Sequence, residues 1–217
     1  MPRRTFNRLT PAETAAWLGG RLPGPGQRIE LLGGSFNPAH RGHRHISREA
    51  LKRLGLDQVW WLVSPQNPLK PLSGMAAFEA RLARARAVAR DPRILVTGIE
   101  QGLGTRATAD TLAGLHRHFP KVAFVWLMGA DNLIQVDRWS RWQEIFNTTA
   151  VAVFDRPTYS LRALAAKAAR RFAHRRIKTC RLRRLPDQRP PAWAFLPIRL
   201  DPTSATALRA SRQGEQE

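Results

Sequence analysis

Short apolar segments alternate with longer amphipathic segments along this chain of 217 residues. Six of the apolar segments have the length and composition of β-strands. They cover residues 29–32, 58–63, 94–97, 122–128, 150–154 and 194–197. The second, Gln-Val-Trp-Trp-Leu-Val, is apolar at nearly every position, which is typical of a strand buried on both faces of a parallel sheet. Because strands and helices alternate, the pattern predicts an α/β fold with a doubly wound parallel sheet and right-handed crossovers.

The amphipathic segments predict the helices between these strands. The predicted helices cover residues 44–54, 76–90, 160–172 and a stretch that ends near His118. Thr108 is a candidate N-cap for the stretch that ends near His118. In the helix over 76–90, we expect Arg81, Arg84 and Arg86 to lie on or near the face that is opposite the apolar one, in contact with solvent.

The segment before the first predicted strand, residues 1–27, carries several prolines and glycines. Within it, Thr10-Pro11-Ala12-Glu13 has the pattern of an N-cap followed by a proline at the first helical position, which predicts a short helix through Trp17-Leu18. We therefore divide the chain into an N-terminal extension, residues 1–27, and one domain, residues 28–217. The extension is expected either to pack on the domain or to form a mobile arm, and it carries no recognisable chemistry.

The charge of the chain is strongly positive, with 36 Lys and Arg against 16 Asp and Glu and a formal net charge of +20. Such an excess favours anionic partners such as nucleotides, nucleic acids or membrane surfaces, and composition does not choose among them. Nine of the basic residues lie between Arg170 and Arg189. Because this stretch lacks interleaved aromatic residues and the chain lacks a nucleic-acid-binding motif, we interpret it as a solvated helix end and loop and expect no nucleic-acid partner.

Cysteine content and hydropathy indicate the cellular compartment in which the protein is expected. Cys180 is the only cysteine, so no disulfide can form within one chain, and a cysteine-based metal site is not expected. No apolar run approaches the 18 residues of a membrane-spanning helix, and no apolar stretch follows the N-terminal arginines as a secretory signal would require. These features predict a cytoplasmic protein without a membrane partner.

The first candidate site lies in residues 31–43, Leu-Leu-Gly-Gly-Ser-Phe-Asn-Pro-Ala-His-Arg-Gly-His. A strand that is broken at Gly33 and Gly34, a turn at Asn37-Pro38 and the start of a helix follow one another here. The backbone N–H groups at a helix start are unpaired, and the helix dipole favours an anion there. His40 and His43 are three residues apart, so they lie on the same side of the first turn, where they can donate hydrogen bonds to phosphate oxygens and stabilise negative charge in a transition state.

Polar residues at the ends of other predicted strands extend this site, because open parallel sheets bind ligands at the carboxyl ends of their strands. Lys70 in the proline-rich loop after the second strand is a candidate phosphate contact. Asp131, after the fourth strand, is placed to bind a ribose hydroxyl, beside Gly129, which permits close approach of the backbone. Trp139 and Trp142 have a spacing typical of helix packing, and one of the two indoles is a candidate to stack on a flat ring.

A second phosphate-type helix start lies near the C-terminus, in Ser204-Ala205-Thr206-Ala207-Leu208-Arg209. Ser204 is a good N-cap, and Thr206 and Arg209 lie in the first turns of a short helix. Hydroxyl groups, unpaired N–H groups and an arginine at a helix start favour a phosphate ligand.

These motifs together resemble a known family. The run Gly34-Ser35-Phe36-Asn37-Pro38 followed by His40-Arg41-Gly42-His43 resembles the signature of the H-x-G-H nucleotidyltransferases, and within them it is most similar to the nicotinate-nucleotide adenylyltransferase family. The resemblance runs from about Ile29 to Arg209. It implies a Rossmann-like doubly wound sheet of nucleotidyltransferase type and a reaction in which ATP and nicotinate mononucleotide give nicotinate adenine dinucleotide and pyrophosphate in NAD biosynthesis.

The resemblance also implies roles for particular residues. His40 and His43 are then the catalytic pair that binds the ATP phosphates and stabilises the transition state. The implied ATP-binding residues are Gly33, Gly34, Ser35, Phe36, His40, His43, Gly129, Asp131, Ser204, Thr206 and Arg209. The implied residues around the pyridine nucleotide are Asn37, Lys70, Thr108, Thr111, Leu112 and Trp139. The expected cofactor is Mg²⁺, held mainly by the ATP phosphates and water, and no metal site made of protein ligands alone is expected.

Two departures and two alternatives remain at this point. Ala107 stands where the family often has an aromatic residue, and Ala205 replaces a frequent serine, which leaves the ring contacts open but not the class of reaction. One alternative is another adenylyltransferase of the same superfamily, such as one that acts on phosphopantetheine. The other is a basic nucleic-acid-binding protein. The choice of nicotinate over nicotinamide rests on the resemblance alone.

Overall fold

One six-stranded sheet forms the centre of the computed structural model, which describes residues 6–65, 74–155 and 159–198. The strands are β1 (Arg28–Gly34), β2 (Gln58–Val63), β3 (Ile94–Thr97), β4 (Ala123–Gly129), β5 (Ala150–Phe154) and β6 (Trp193–Leu196). Their spatial order is β3-β2-β1-β4-β5-β6, and all neighbouring strands are parallel. The predicted α/β class with a doubly wound parallel sheet is therefore confirmed.

Helices connect the strands and cover both faces of the sheet. In the described ranges, the α-helices are α1 (Pro11–Trp17), α2 (Arg41–Leu54), α3 (Phe78–Ala89), α4 (Ile99–Leu103), α5 (Thr108–His118), α6 (Ala130–Gln135), α7 (Trp142–Thr148), α8 (Ser160–Leu164) and α9 (Lys167–Arg171). Three 3₁₀ segments cover Val136–Arg138, Ala173–Arg175 and Thr179–Asp187. None of these helices has the length and apolar character needed to cross a membrane.

Two apolar cores, one on each face of the sheet, explain why the strands are apolar almost throughout. Ile29 and Leu31 of β1 point into the core that α4 to α7 cover. Leu32 points into the other core, beneath α2 and α3. Because side chains alternate along a strand, Glu30 lies on the same face as Leu32, where it is fully buried and has no hydrogen-bond partner among the described residues.

The first strand is longer than the sequence predicts. We expected Gly33 and Gly34 to break it, but both glycines belong to β1, where they pair with Leu62 and Val63 of β2. The prediction was wrong because pairing with a neighbouring strand can include residues of low strand propensity. As a result, the backbone of both glycines lies at the carboxyl edge of the sheet.

Helix α2 begins three residues earlier than predicted, at Arg41, because His40 caps it. Thr108 was predicted to be an N-cap, but it is the first residue of α5, and Ala107 holds the cap position without a side-chain hydrogen bond. The five-residue helix α4 was not predicted, since one turn and a half is too short to show a helical period.

The single helix predicted over residues 160–172 is two short helices, α8 and α9. Ala166 between them has an extended backbone, so the chain changes direction there and buries Ala163 and Ala168. Leu161 is 85% exposed, although its spacing placed it on the apolar face. Small, good helix formers surround the break, which is why periodicity did not indicate it.

The predicted N-terminal helix is confirmed as α1 and packs on the domain. Thr10 and Glu13 form a capping box, in which the Glu13 N–H donates to Thr10 Oγ1 (3.2 Å) and the Thr10 N–H donates to Glu13 Oε2 (2.8 Å). The Thr97 hydroxyl donates to the carbonyl of Trp17 (2.7 Å), which joins α1 to the end of β3. Leu18 is completely buried in the core next to α4.

The arginine-rich stretch is more regular than the predicted helix end and loop. Two 3₁₀ segments run through it, and Leu182 and Leu185 anchor the second of them in the core beneath α2. The arginine side chains are exposed, as expected for a solvated surface. Several of them line a groove of about 420 Å³ that includes Ala192, the residue before β6. The groove therefore lies near the amino end of that strand, at the edge of the sheet where the strands begin.

Candidate functional site

The candidate site lies where the topology of the sheet reverses. The chain runs from β1 outward to β2 and β3, and then returns to the other side of β1 as β4. The carboxyl ends of β1 and β4 are Gly34 and Gly129, so helices leave these two strands toward opposite faces and a crevice remains between them. Open α/β sheets bind ligands in this crevice.

A cavity of about 500 Å³ occupies this edge of the sheet. Its volume is that of a typical small-molecule site. The lining residues come from the ends of β1, β2 and β4 and from the segments around α4, α5 and α6; they are Gly33, Gly34, Ser35, Ser64, Glu100, Arg106, Ala107, Thr108, Trp126, Asn132, Gln135, Arg138, Trp139 and Ser140. Five of the predicted site residues are among them, namely Gly33, Gly34, Ser35, Thr108 and Trp139.

The loop between β1 and α2 is held by its own side chains. Phe36 is buried, has a positive φ of 47° and stacks on Trp61 with ring centroids 5.1 Å apart. Asn37 donates from Nδ2 to the carbonyl of Gly74 (2.8 Å) and accepts from the Ala76 N–H at Oδ1 (3.3 Å). Asn37 therefore joins this loop to the start of the segment that leads into α3.

The two histidines cap α2 reciprocally. His40 Nδ1 accepts from the Gly42 N–H (3.2 Å), and His43 Nδ1 accepts from the His40 N–H (3.3 Å). Their ring centroids are 3.9 Å apart. Because Nδ1 accepts a backbone hydrogen bond in each ring, the ring proton is on Nε2, which is then a hydrogen-bond donor. Phe36 packs against His43 at 4.8 Å, which fixes the orientation of the second ring.

Arg81 was predicted to face solvent, but it is buried, with 2% of its surface exposed. Its guanidinium donates to the carbonyls of Ser35 (2.7 Å), Ser64 (2.7 Å) and Pro65 (2.9 Å), and Nε donates to Ala76 (3.0 Å). The carbonyls of Ser35, Ser64 and Pro65 belong to the segments that follow β1 and β2, and that of Ala76 lies just before α3. The prediction was wrong because the planar guanidinium group, with its five N–H donors, can satisfy several buried carbonyls at once, which makes burial of this arginine favourable. Arg84 and Arg86 are exposed, as expected.

The two tryptophans near the cavity have different environments and are not on one helix. Trp142 is the first residue of α7 and is buried among Phe146 and Phe172. Trp139 lies between the Val136–Arg138 segment and α7, is only partly buried, and lines the cavity. Of the two, Trp139 is therefore the indole that a ligand in the cavity can contact.

A hydroxyl network fixes the segment between α4 and α5. Thr111 Oγ1 donates to Glu100 Oε1 (3.1 Å) and lies 2.8 Å from Thr105 Oγ1. Thr111 is buried, and Leu112 beside it is completely buried in the core, so neither side chain lines the cavity. Burial raises the pKa of Glu100 to about 7, and the hydrogen bond from Thr111 opposes this shift.

The end of β4 contributes the start of α6. Gly129 is the N-cap of this helix, and Asp131 is in its first turn, with one carboxylate oxygen buried. Neither residue is among those that line the cavity, although Asn132 and Gln135 of the same helix are. The nucleotide contacts predicted for Gly129 and Asp131 stay predictions.

Four predicted site residues lie outside the described ranges: Lys70, Ser204, Thr206 and Arg209. Nine lining residues in the described ranges were not assigned to the site from the sequence, and four of them have charged or aromatic side chains: Glu100, Arg106, Trp126 and Arg138. Each lies close to the carboxyl end of a strand or in the segment after it. Position after a predicted strand was thus the signal that could have found them.

A crevice at the switch point, a capped pair of histidine donors at a helix start and an aromatic wall define a nucleotide-binding α/β protein of nucleotidyltransferase type. The arrangement suits a reaction between two bound substrates that needs positioning and charge stabilisation.

Comparisons with known proteins agree with this class. The family model described as cytidylyltransferase-like matches residues 31–210. A protein of Parvibaculum lavamentivorans named "Probable nicotinate-nucleotide adenylyltransferase" is 53% identical over 185 residues, which cover 85% of this chain and 92% of that protein. Proteins of the same name from Methylorubrum extorquens and Cereibacter sphaeroides are 54% and 55% identical over 84% of this chain and over 98% and 97% of their own lengths.

A solved structure shares the fold. Plasmodium falciparum nicotinic acid mononucleotide adenylyltransferase in complex with NaAD superimposes with a TM-score of 0.63, at 15% identity over 85% of this chain and 83% of that chain. At this identity the likeness concerns the fold, and it confirms the Rossmann-like nucleotidyltransferase architecture. The chain belongs to the cytidylyltransferase-like family and, within it, to the nicotinate-nucleotide adenylyltransferases.

Proposed function

We propose that the protein transfers AMP from ATP to nicotinate mononucleotide. A phosphate oxygen of the mononucleotide attacks the α-phosphorus of ATP, the bond from that phosphorus to the bridging oxygen breaks, and pyrophosphate leaves as nicotinate adenine dinucleotide forms. The observation that carries the proposal is the juxtaposition of two features at one edge of the sheet: the capped histidine pair on α2 and the cavity that Thr108 and Trp139 line. The names of three relatives that are 53%, 54% and 55% identical to this chain support the same reaction.

The histidine pair acts on the phosphates in this proposal. Because both Nδ1 atoms accept backbone hydrogen bonds, His40 and His43 present Nε2–H donors in a fixed orientation. Such donors stabilise charge that develops on the α-phosphate and on the leaving pyrophosphate without having to reorganise. The backbone of Gly33 and Gly34, which line the cavity, leaves room for a phosphate or sugar to approach the sheet edge.

The cavity on the other side of the β1 end holds the pyridine nucleotide in this proposal. Trp139 offers an indole face for the flat ring. Thr108 begins α5, so its backbone N–H is one of those that α5 leaves unpaired, and such groups suit a carboxylate. Arg106 and Arg138 line the same cavity and add positive charge for an anionic substrate.

The positions of these groups depend on Arg81. Its bonds to the carbonyls of Ser35 and Ser64 hold the ends of β1 and β2 at a fixed separation. The first of these ends leads to the histidine pair through Phe36 and Asn37. Arg81 is therefore a positioning residue, and it reaches the reaction only through the backbone that it holds.

The proposal includes a Mg²⁺ ion that binds together with ATP. No group of three His, Cys, Asp or Glu residues within the described ranges is arranged to hold a metal ion. In this proposal the ion is bound largely by phosphates and water. When bound, it would neutralise phosphate charge. The predicted phosphate roles of Lys70, Ser204, Thr206 and Arg209 remain part of the proposal, as does the role of Asn37.

The proposal is tested by pyrophosphate release with ATP and Mg²⁺ and one of three acceptors: nicotinate mononucleotide, nicotinamide mononucleotide or phosphopantetheine. We expect release with nicotinate mononucleotide, and equal amounts of nicotinate adenine dinucleotide by chromatography. Release with phosphopantetheine alone would replace the proposed substrate, and release without any acceptor would indicate hydrolysis of ATP. A variant with His43→Asn, for which we expect a large loss of turnover, serves as the comparison.

A further inference from the structure

A carboxyl group lies in the wall of the proposed pyridine-nucleotide cavity, where the substrate itself brings a carboxylate. Glu100, in α4, is half-buried and lines the cavity together with Thr108 and Trp139. Its Oε1 accepts a hydrogen bond from Thr111 (3.1 Å), and its backbone carbonyl accepts from the N–H of Thr105 (3.0 Å). The carboxyl group is thus held in one place at the foot of the segment that leads into α5.

In the described part of the chain, the carboxyl of Glu100 forms no ion pair. Burial and the hydrogen bond from Thr111 are the influences on its pKa, which rises to about 7. Arg106 and Arg138 line the same cavity. Of the elements packed against α4, β2 has no ionisable residue and Glu13 of α1 is bonded to Thr10. Helix α5 carries Asp110, which is paired with Arg141, and has His116, Arg117 and His118 in its last turn, at the other end of the helix from Thr111.

Two carboxyl groups that share one cavity raise the pKa of one another, because like charges close together disfavour the ionised form. Nicotinate mononucleotide carries its ring carboxylate into this cavity, if the function proposed above holds. The ring carboxylate is conjugated to a pyridinium cation and is hard to protonate, so the proton goes to the protein. Glu100 is the cavity carboxyl that can accept it.

We propose that Glu100 is a specificity-determining residue which takes up one proton from solvent when nicotinate mononucleotide binds and returns it when the dinucleotide product leaves. As a neutral acid it can donate a hydrogen bond to the substrate, whereas as a carboxylate it repels the nicotinate group. A nicotinamide ring presents a neutral amide with N–H donors, and an ionised Glu100 tolerates it. The preference for nicotinate over nicotinamide therefore falls as the pH rises through neutrality.

The test compares the wild-type protein with Glu100→Gln, because the amide oxygen of Gln can still accept from Thr111 but cannot take up a proton. KM and kcat for nicotinate mononucleotide are measured from about pH 6 to about pH 8.5. We expect the ratio of the wild-type KM to the KM of the Gln variant to rise roughly tenfold between pH 6 and pH 8, because one group with a pKa near 7 loses its proton over this range. The ratio of the two kcat values should change little. Titration of the substrate phosphate acts equally on both proteins and cancels in the ratio.

Calorimetry gives a second measurement that does not depend on turnover. Binding of nicotinate mononucleotide at about pH 8 is measured in two buffers of different ionisation enthalpy. We expect uptake of about one proton by the wild type and none by Glu100→Gln, and no uptake by either protein with nicotinamide mononucleotide. Thr111→Val removes a hydrogen bond to the ionised form, so it should move the rise in KM to higher pH.

Parallel KM profiles for wild type and Glu100→Gln, or wild-type binding without proton uptake, would overturn this proposal and leave the proposed reaction intact. A purely structural role for Glu100 would lower kcat or stability in Thr111→Val without moving the pH profile, and that also counts against it. If the wild type neither binds nicotinate mononucleotide nor releases pyrophosphate with it, the proposed function fails, and this proposal fails with it.

Discussion

The indole of Trp126 in β4 occupies the space into which a side chain at position 33 of β1 would project. Gly33 and Trp126 lie on adjacent strands at the switch point, and both line the cavity. A Cβ atom at residue 33 would overlap the benzene ring of the indole. Glycine is therefore required at this position so that the indole can form part of the cavity wall.

Gly33→Ala should displace the Trp126 ring and lower the free energy of unfolding by about 1–3 kcal/mol, which is typical of an overpacked core. Gly34→Ala is the matched comparison, because a Cβ atom there would meet Phe36 at 3.4 Å, close to an ordinary contact. Urea unfolding of both variants measures the difference. Equal losses of stability would mean that the contact with Trp126 does not restrict position 33.

Arg81→Lys should be among the most damaging conservative substitutions in the chain. One ammonium group cannot reach the carbonyls of Ser35, Ser64 and Pro65 together, so buried acceptors lose their donors. We expect a loss of about 2–4 kcal/mol of stability and a lower kcat. Arg84→Lys, on the exposed side of the same helix, should change stability by less than about 0.5 kcal/mol. Similar values for the two variants would refute the positioning role of Arg81.

The sequence predicted the sheet well because its strands are buried on both faces. Strands β2, β3 and β5 have the predicted bounds, since a continuous apolar run ends where burial ends. The alternation of strands and helices was sufficient to predict the parallel, doubly wound arrangement. The same logic predicted the carboxyl ends of the strands as the position of the site.

Other features depend on contacts that a local pattern does not contain. Arg81 lies three residues after Phe78 and four before Ala85, so its position is on the apolar face, and residue type alone suggested solvent. The start of α2 was predicted three residues too late, because histidine is an unusual N-cap and the cap formed by His40 was not expected. The role of Glu100 in the cavity wall depends on α4, which is too short to predict.

His43→Asn should separate catalysis from capping. The Asn oxygen can replace Nδ1 as acceptor for the His40 N–H, whereas His43→Ala loses that bond and about 1 kcal/mol of stability. Both variants lose the Nε2–H donor, so we expect kcat to fall about 10²- to 10³-fold in each. Thermal unfolding and pyrophosphate release measure the two effects. Near-normal turnover in the Asn variant would assign His43 to the helix cap alone.

Trp17→Ala should show whether the N-terminal extension supports the site. The indole of Trp17 packs directly against the backbone of Gly102 and Gly98, at the two ends of α4, which carries Glu100. Its loss should lower stability by about 2 kcal/mol and raise KM for the pyridine nucleotide more than KM for ATP. Leu22→Ala, at an exposed position of the same extension, should change neither quantity. Equal changes in the two KM values would mean that the effect is not directed to the pyridine site.

Glu30 should make the protein more stable in mildly acidic than in alkaline solution. Its carboxyl group is completely buried in β1 between Val59 and Val125, and no residue in the described part of the chain forms a hydrogen bond with it. Burial raises its pKa well above the usual 4.5. The folded state therefore keeps the proton where the unfolded state releases it. The contribution of this group to stability is fully present below about pH 4.5, the value in the unfolded chain, and is lost as the pH rises toward the folded pKa.

Glu30→Met removes the titrating group and keeps an unbranched side chain of similar length, so it should stabilise the protein at alkaline pH. We expect a gain of about 2 kcal/mol at pH 8, which shrinks as the pH is lowered toward 5.5, because the wild-type carboxyl costs least when the unfolded state also holds its proton. Glu79→Met, at an exposed position of α3, should show no such dependence. Denaturant unfolding of the three proteins at several pH values gives the comparison. A Met variant that is equally stabilised at both pH values would show that packing, rather than ionisation, accounts for the gain.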